Sequence, residues 1–169
     1  MSTSQELEQK FWKALKSDMT MMLGLAGAEH GHTRPMTAQL DPDRDAHDSR
    51  GHGPIWFFAA NDHALVQALR SDSEAVATFT SKGHDLFACV HGRLSLDNDR
   101  ATIDRLWNKH IAAWYQGGKD DPKLALLRLD AEHAEIWADA SNLIAGIKAL
   151  FGADPKEDYQ DKVAKVALR

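Results

Sequence analysis

Between Met19 and Leu96 the chain strings together short apolar segments with only one brief helical pattern among them. Met19 to Ala26, Thr33 to Leu40, Ile55 to Ala60, Ala75 to Thr80 and Leu86 to Leu96 each read as a strand. Asp62 to Arg70, with Leu65, Val66 and Leu69 at helical spacing, is the single insertion. Strands that follow one another without βα alternation favour an antiparallel barrel with helices packed outside it.

The helices flank this run. Thr3 and Glu6 match the Thr-x-x-Glu capping box. Leu7, Phe11 and Leu15 then recur every fourth residue, which predicts an amphipathic helix over residues 4–17. Asp97 or Asn98 is expected to cap a second helix running to about Tyr115, with Ile103, Leu106, Trp107, His110, Ile111 and Trp114 on its core side. Gly117-Gly118 stop it and Asp121-Pro122 turn the chain. Leu124 to Leu129 and Ala134 to Ala138 read as strand, bulged or split around Asp130. Residues 141–151 read as a short helix or a last strand, and the charged tail from Pro155 as helix.

A length of 169 residues suits one domain, 1–169, with an N-terminal helix (1–17) and a C-terminal tail (152–169). No run approaches the roughly 18 apolar residues of a membrane span, and the N-terminus lacks the apolar core of a signal peptide. A single cysteine, Cys89, cannot form an internal disulfide, so a reducing cytoplasm is expected. In its apolar strand Cys89 reads as a small buried hydrophobe. A net charge of -5 argues against nucleic acid as the partner.

Most candidate motifs dissolve on inspection. Asp41-Pro42-Asp43-Arg44-Asp45 starts like a calcium loop but has Ala46 at the sixth position and His52 at the twelfth. His30, His32, His47 and His52 lack the spacing of a structural zinc site, so no metal is expected. No nucleophile elbow, Walker loop or dinucleotide fingerprint occurs. Thr33-Arg34-Pro35-Met36 is different. Proline in a strand belongs at an edge, and the arginine beside it offers a planar fork for a phosphate or carboxylate. A plain surface arginine is the bland alternative. Of the five tryptophans, Trp12, Trp107 and Trp114 fall on helices and read as core or dimer contacts.

Thr33-Arg34-Pro35-Met36, Ile55-Trp56-Phe57-Phe58 and the stretch from Trp114-Tyr115 through Gly117-Gly118 to Trp137 share an order and spacing along almost the whole chain. In these the chain resembles the general-stress branch of the pyridoxamine 5'-phosphate oxidase-like, FMN-binding split-barrel superfamily. The resemblance implies an α+β fold, a six-stranded antiparallel split β-barrel flanked by helices, and a homodimer with a small-molecule ligand at the subunit interface. It implies FMN as cofactor. Arg34 would approach the phosphate or ribityl chain, Pro35 would belong to the cofactor site, and the backbone of Met36 and Thr37 would face the ring edge. Phe57, Phe58, Ala59 and Ala60 would line the strand beside the flavin. Thr80, Ser81 and Lys82 would lie near its polar edge, and Trp137 of a second subunit would cover the ring.

Two departures qualify this. Where the family carries a basic pair that grips the phosphate, this chain has Ala64 and Leu65, leaving His63 as a donor and Lys82 to compensate. Where true pyridoxamine phosphate oxidases carry Arg-x-His-x-Arg, it has Leu143 to Ile147, without charge or imidazole. A genuine pyridoxamine phosphate oxidase is therefore not expected. Two readings lead, and a metal-binding role for the 30–52 histidine/aspartate loop stays as a weaker third. One is an FMN-dependent oxidoreductase of the general-stress type, for which no catalytic side chain is named. The other is a non-catalytic stress or binding protein with weakened flavin affinity or a different anionic ligand, such as haem or a deazaflavin.

Overall fold

The computed structural model describes residues 3–45, 53–71, 73–138 and 163–168. The first helix, α1 (Ser4–Asp18), opens with the expected capping box. Thr3 Oγ1 accepts from the Glu6 N–H at 3.2 Å, and the Glu6 carboxylate accepts from the Thr3 N–H at 2.9 Å. Its apolar stripe of Leu7, Phe11, Trp12 and Leu15 is buried. Phe11 meets Phe79 of the sheet edge-on, with centroids 5.9 Å apart. Met19 ends the helix by turning left-handed, with φ 61.

The strands are β1 (Thr20–Leu25), β2 (Thr33–Thr37), β3 (Gln39–Leu40), β4 (Ile55–Ala60), β5 (Ser73–Thr80), β6 (Leu86–Leu96), β7 (Leu124–Ala138) and β8 (Val163–Ala167). They pair antiparallel in the order β2-β1-β5-β6-β7-β4-β3, with β8 added to β7. β2 and β3 stand at opposite ends of this order, yet Ala38 alone separates them in the chain. The sheet therefore curls until its two edges meet, which is the split-barrel arrangement. The Ala38 N–H donates to Met19 O and fixes the crossing point. Pro35 lies on the edge strand β2, the place in a sheet where a missing backbone donor is tolerated.

Period-2 alternation sorts the side chains of β6. Leu86, Ala88, Val90 and Leu94 face the core, while Phe87 and His91 face outward. The main core lies between α1 and the inner sheet face, around Leu23, Phe57, Leu94 and Leu127. A second core sits on the other face of β4. There Trp56 and Leu126 pack beneath α4 (Arg100–Leu106) and α5 (Lys109–Ala112) through Ile103, Leu106 and Ile111.

Several sequence expectations change. The helix expected from 97 to 115 is two short helices, broken at Trp107-Asn108 because the Asn108 side chain caps a new start, accepting from the His110 and Ile111 N–H groups at 2.9 and 3.1 Å. Its first cap is Asp99, not Asp97 or Asn98. Asn98 instead accepts from the Leu126 N–H at 2.7 Å, and Asp97 pairs with Arg128. Of the two alternatives around Asp130 the bulged strand holds, not the split one, since His91 pairs with His133 but Gly92 with Ala131 within one continuous β7. The described part of the charged tail is a strand rather than a helix, with Ala164 and Val166 buried against β7. Cys89 is half-buried on the outer sheet face instead of in the core, 3.4 Å from His91 Nε2. Burial, with Glu135 nearby, pushes its thiol pKa up, which disfavours the reactive thiolate. The stretches 141–151 and 143–147, His47 and His52 lie outside the described residues.

Asp41 has a structural role. It is 2% exposed and accepts from Arg105 Nε and Nη2, the latter at 2.7 Å. Among the described residues no group of three or more His, Cys, Asp or Glu could hold a metal ion. Nor is any described helix long and apolar enough to cross a membrane.

Candidate functional site

Where the sheet edges meet, the ends of β2 and β4 and the segment after α4 enclose a mainly apolar cavity of about 560 Å³. β2 supplies Pro35, Met36 and Thr37. β4 supplies Phe58, Ala59 and Ala60, and His63 follows at the cap of α3 (Ala64–Ala68). The opposite wall is Asn108, His110, Ile111, Trp114 and Tyr115, with Met19 and Gln39 completing the lining.

Local chemistry holds these walls in place. Asn61 pins the end of β4 by donating from Nδ2 to Pro122 O at 2.6 Å and from its N–H to Lys123 O at 2.8 Å. Phe58 stands edge-on to Trp107 and Tyr115, at 6.0 and 6.4 Å between centroids. The buried Tyr115 hydroxyl donates to Ala59 O at 2.6 Å and so ties the helical wall to the strand. Burial, with Asp121 adding to it, pushes the Tyr115 pKa from 10.0 up to about 12.

This bond has a measurable consequence. A raised folded-state pKa means that the folded protein keeps its proton where the unfolded chain loses it. The contribution is therefore complete below pH 10.0 and is lost as pH rises towards about 12. Tyr115→Phe should cost about 1 kcal/mol at neutral pH and flatten the decline in thermal stability across that alkaline window. An alkaline decline of wild-type size in the variant would assign it to another group.

The structure brings Pro35, Met36, Thr37, Phe58, Ala59, Ala60 and His63 together around the cavity. Arg34 adjoins them in sequence, but its guanidinium is turned to Glu29, donating from Nη1 and Nη2 at 3.2 and 3.0 Å. Phe57 points the other way, fully buried in the core, because neighbouring strand residues face opposite sides.

Thr80, Ser81, Lys82 and Trp137 do not line the cavity of this chain. Ser81 staples the β5–β6 turn, donating to Asp85 at 2.6 Å and accepting from the Leu86 N–H at 3.1 Å. The Lys82 N–H donates to Asp18 at 2.8 Å. Trp137 is paired with Phe87 and Val163 in the sheet. Leu65, at the position of the family's basic pair, is fully buried in the main core. A lysine there would have to leave the core to meet a ligand.

The sequence reading missed Met19, Gln39, Asn108, His110, Ile111, Trp114 and Tyr115 as cavity residues. Trp114 is 86% exposed at the cavity wall, so its assignment to the core side of a helix is corrected. His110, also assigned there, is exposed too. One signal was available, since Trp114-Tyr115 closes the helical pattern just before the glycine pair.

The chain is similar to solved structures along most of its length. It is 56% identical to a general stress family protein from Xanthomonas campestris pv. campestris, with a TM-score of 0.74 over 84% of this chain and 93% of that one. It is also 56% identical to the general stress FMN/FAD binding protein from Xanthomonas citri, with a TM-score of 0.72 over 82% and 92% of the two chains. A general stress protein 26 from Jannaschia sp. CCS1 is 25% identical, with a TM-score of 0.71 over 96% and 99%. Protein bli-3 of Neurospora crassa is 22% identical over 101 residues, so the chain matches about half (48%) of that curated relative's length. The family described as pyridoxamine 5'-phosphate oxidase like matches residues 6–159. With a match of that extent laid over a split barrel, the chain belongs to the pyridoxamine 5'-phosphate oxidase-like family.

Proposed function

We propose that this cavity holds the ring system of FMN and that the chain serves as a flavin-binding general stress protein. The proposal rests on one observation. The stretches 35–37 and 58–60 meet around a mainly apolar cavity of about 560 Å³, a size typical of sites for small organic ligands. The 56% identity to the Xanthomonas citri FMN/FAD binding protein supports a flavin over other planar ligands.

The lining fits the ring. Pro35, Met36, Phe58 and Ile111 offer apolar surface, and Asn108 and Gln39 offer hydrogen-bonding edges. His63 Nδ1 is buried without a hydrogen-bond partner, a polar atom in the wall residue that a ligand could satisfy. A bound flavin supplies the electron-transfer chemistry. The chain's own part is to grip the ring, exclude water from one side and limit access past Trp114. A flavin-dependent oxidoreductase acting in the cytoplasm is the finer form of this proposal.

A second copy of the chain completes the proposed site. Met22, Phe87 and Leu96 are exposed at 38%, 36% and 52%, and Trp114 at 86%, and a homodimer would cover such apolar surface. A second copy is also what would bring a Trp137 to a cavity that its own chain's Trp137 does not reach. One specific observation favours the second reading, a binding protein of weakened flavin affinity. No lysine or arginine lines the described cavity, and Arg34 is already engaged.

Purified protein reconstituted with FMN and desalted should keep flavin absorption bands at close to one flavin per chain and sediment as a dimer. A colourless protein that leaves FMN in the flow-through would sink the flavin proposal. A monomer that retains FMN would sink the shared site.

A further inference from the structure

Glu29, His30 and Gly31 follow one another in the left-handed region, with φ of 49, 57 and 72. For the two residues other than glycine this conformation is unfavourable, and it persists only where surrounding contacts hold it. Here the contact is the Glu29 carboxylate. It takes both arms of the Arg34 fork, at 3.2 and 3.0 Å, with the two side chains only 20% and 13% exposed. Arg34 holds the Glu29 carboxyl below its ordinary pKa, so it stays ionised. The ion pair lies at the start of β2, next in sequence to Pro35, Met36 and Thr37 of the cavity wall.

A carboxylate presents a guanidinium with the same two-oxygen edge as a phosphate monoester. With no lysine or arginine in the described lining, Arg34 is the cation next in sequence to the cavity wall, and its fork is filled from within the chain. We propose that Glu29 is a built-in competitor for Arg34, which an anionic headgroup must displace, and that it sets how strongly the site prefers phosphorylated ligands over their unphosphorylated counterparts. The proposal rests on the flavin reading for the ring, but the competition concerns the anion alone.

The test titrates the full chain, stripped of flavin, with FMN, riboflavin and inorganic phosphate. Glu29→Gln should tighten FMN about fivefold, the worth of a partly exposed ion pair, and leave riboflavin unchanged. Glu29→Asp keeps the charge but is too short to fill both arms, so it should shift FMN in the same direction. Inorganic phosphate should raise the melting temperature of Glu29→Gln at concentrations that leave wild type unmoved. Where flavins bind, their ratio decides. FMN affinity unchanged or weakened in Glu29→Gln overturns the competition. So does a gain in Glu29→Gln with none in Glu29→Asp, since that pattern means repulsion through space. Where neither flavin binds any variant, the phosphate shift decides. Its presence leaves the competition standing while the flavin proposal falls, and its absence removes both.

Discussion

Replacing Gly92 with alanine should destabilise the protein by about 3 kcal/mol, at the upper end of what overpacking costs. Gly92 lies in β6, hydrogen-bonded on both sides between β5 and β7, at the point where the register of the β6–β7 pair shifts. A Cβ added there would run into the Asp130 carbonyl oxygen, and would stand 2.9 Å from the Asp130 carbonyl carbon and 3.0 Å from Ala131 Cα. All three are backbone atoms, so no side chain can swing aside. Relief requires β6 and β7 to part across the barrel. Denaturant unfolding of Gly92→Ala against wild type measures the cost. Gly27→Ala is the control, since a Cβ there meets nothing within 4 Å and only the left-handed φ of 74 opposes it. A Gly92 variant no worse than the Gly27 variant would show that the bulge opens freely.

The bulge also shows how far the sequence can be read. Alternation in Leu86 to Leu96 predicts a strand with one buried face, and burial of Leu86, Ala88, Val90 and Leu94 follows it. A single-chain pattern carries no register, however, so the two-for-one pairing opposite Gly92 emerges only from the partner strand. The broken helix misleads for a related reason. Ile103, Leu106 and Ile111 reach the same core from α4 and α5, so the apolar spacing continues across a break that only the capping chemistry of Asn108 marks. The break alters the phase downstream, and Trp114 emerges exposed while Tyr115 turns inward. In the tail, lysines and aspartates hide the Val-Ala-Lys-Val-Ala alternation that β8 uses.

The site was legible in its strands and illegible in its electrostatics. The apolar, aromatic run Ile55 to Ala60 and the proline-bearing Thr33 to Met36 carry the resemblance that points to two cavity walls. Nothing in the spacing of Glu29 and Arg34, five residues apart across a hairpin connection, announces a bidentate pair. That pair needs the left-handed backbone of Glu29 and His30, which residue preferences argue against.

Arg34→Ala should weaken FMN binding about tenfold while leaving riboflavin nearly unchanged. A charge-assisted contact to a phosphate is worth roughly 1.5–3 kcal/mol, and displacing the Glu29 pair first takes back about 1 kcal/mol. The difference is about one decade in affinity. The variant also leaves the Glu29 carboxylate without its counter-charge, facing any phosphate brought to this side of the cavity, which adds to the loss. Riboflavin has the ring and ribityl chain but no anion, so it reports whether the apolar walls of β2 and β4 are intact. Thermal melting without ligand supplies a second control, since a pair exposed at 13% and 20% should contribute only about 1 kcal/mol to folding. Equal weakening of FMN and riboflavin would assign Arg34 to the shape of the β1–β2 hairpin instead of to the anion. An unchanged FMN affinity would mean that the phosphate lies elsewhere, on the side of the cavity that a second copy of the chain would complete.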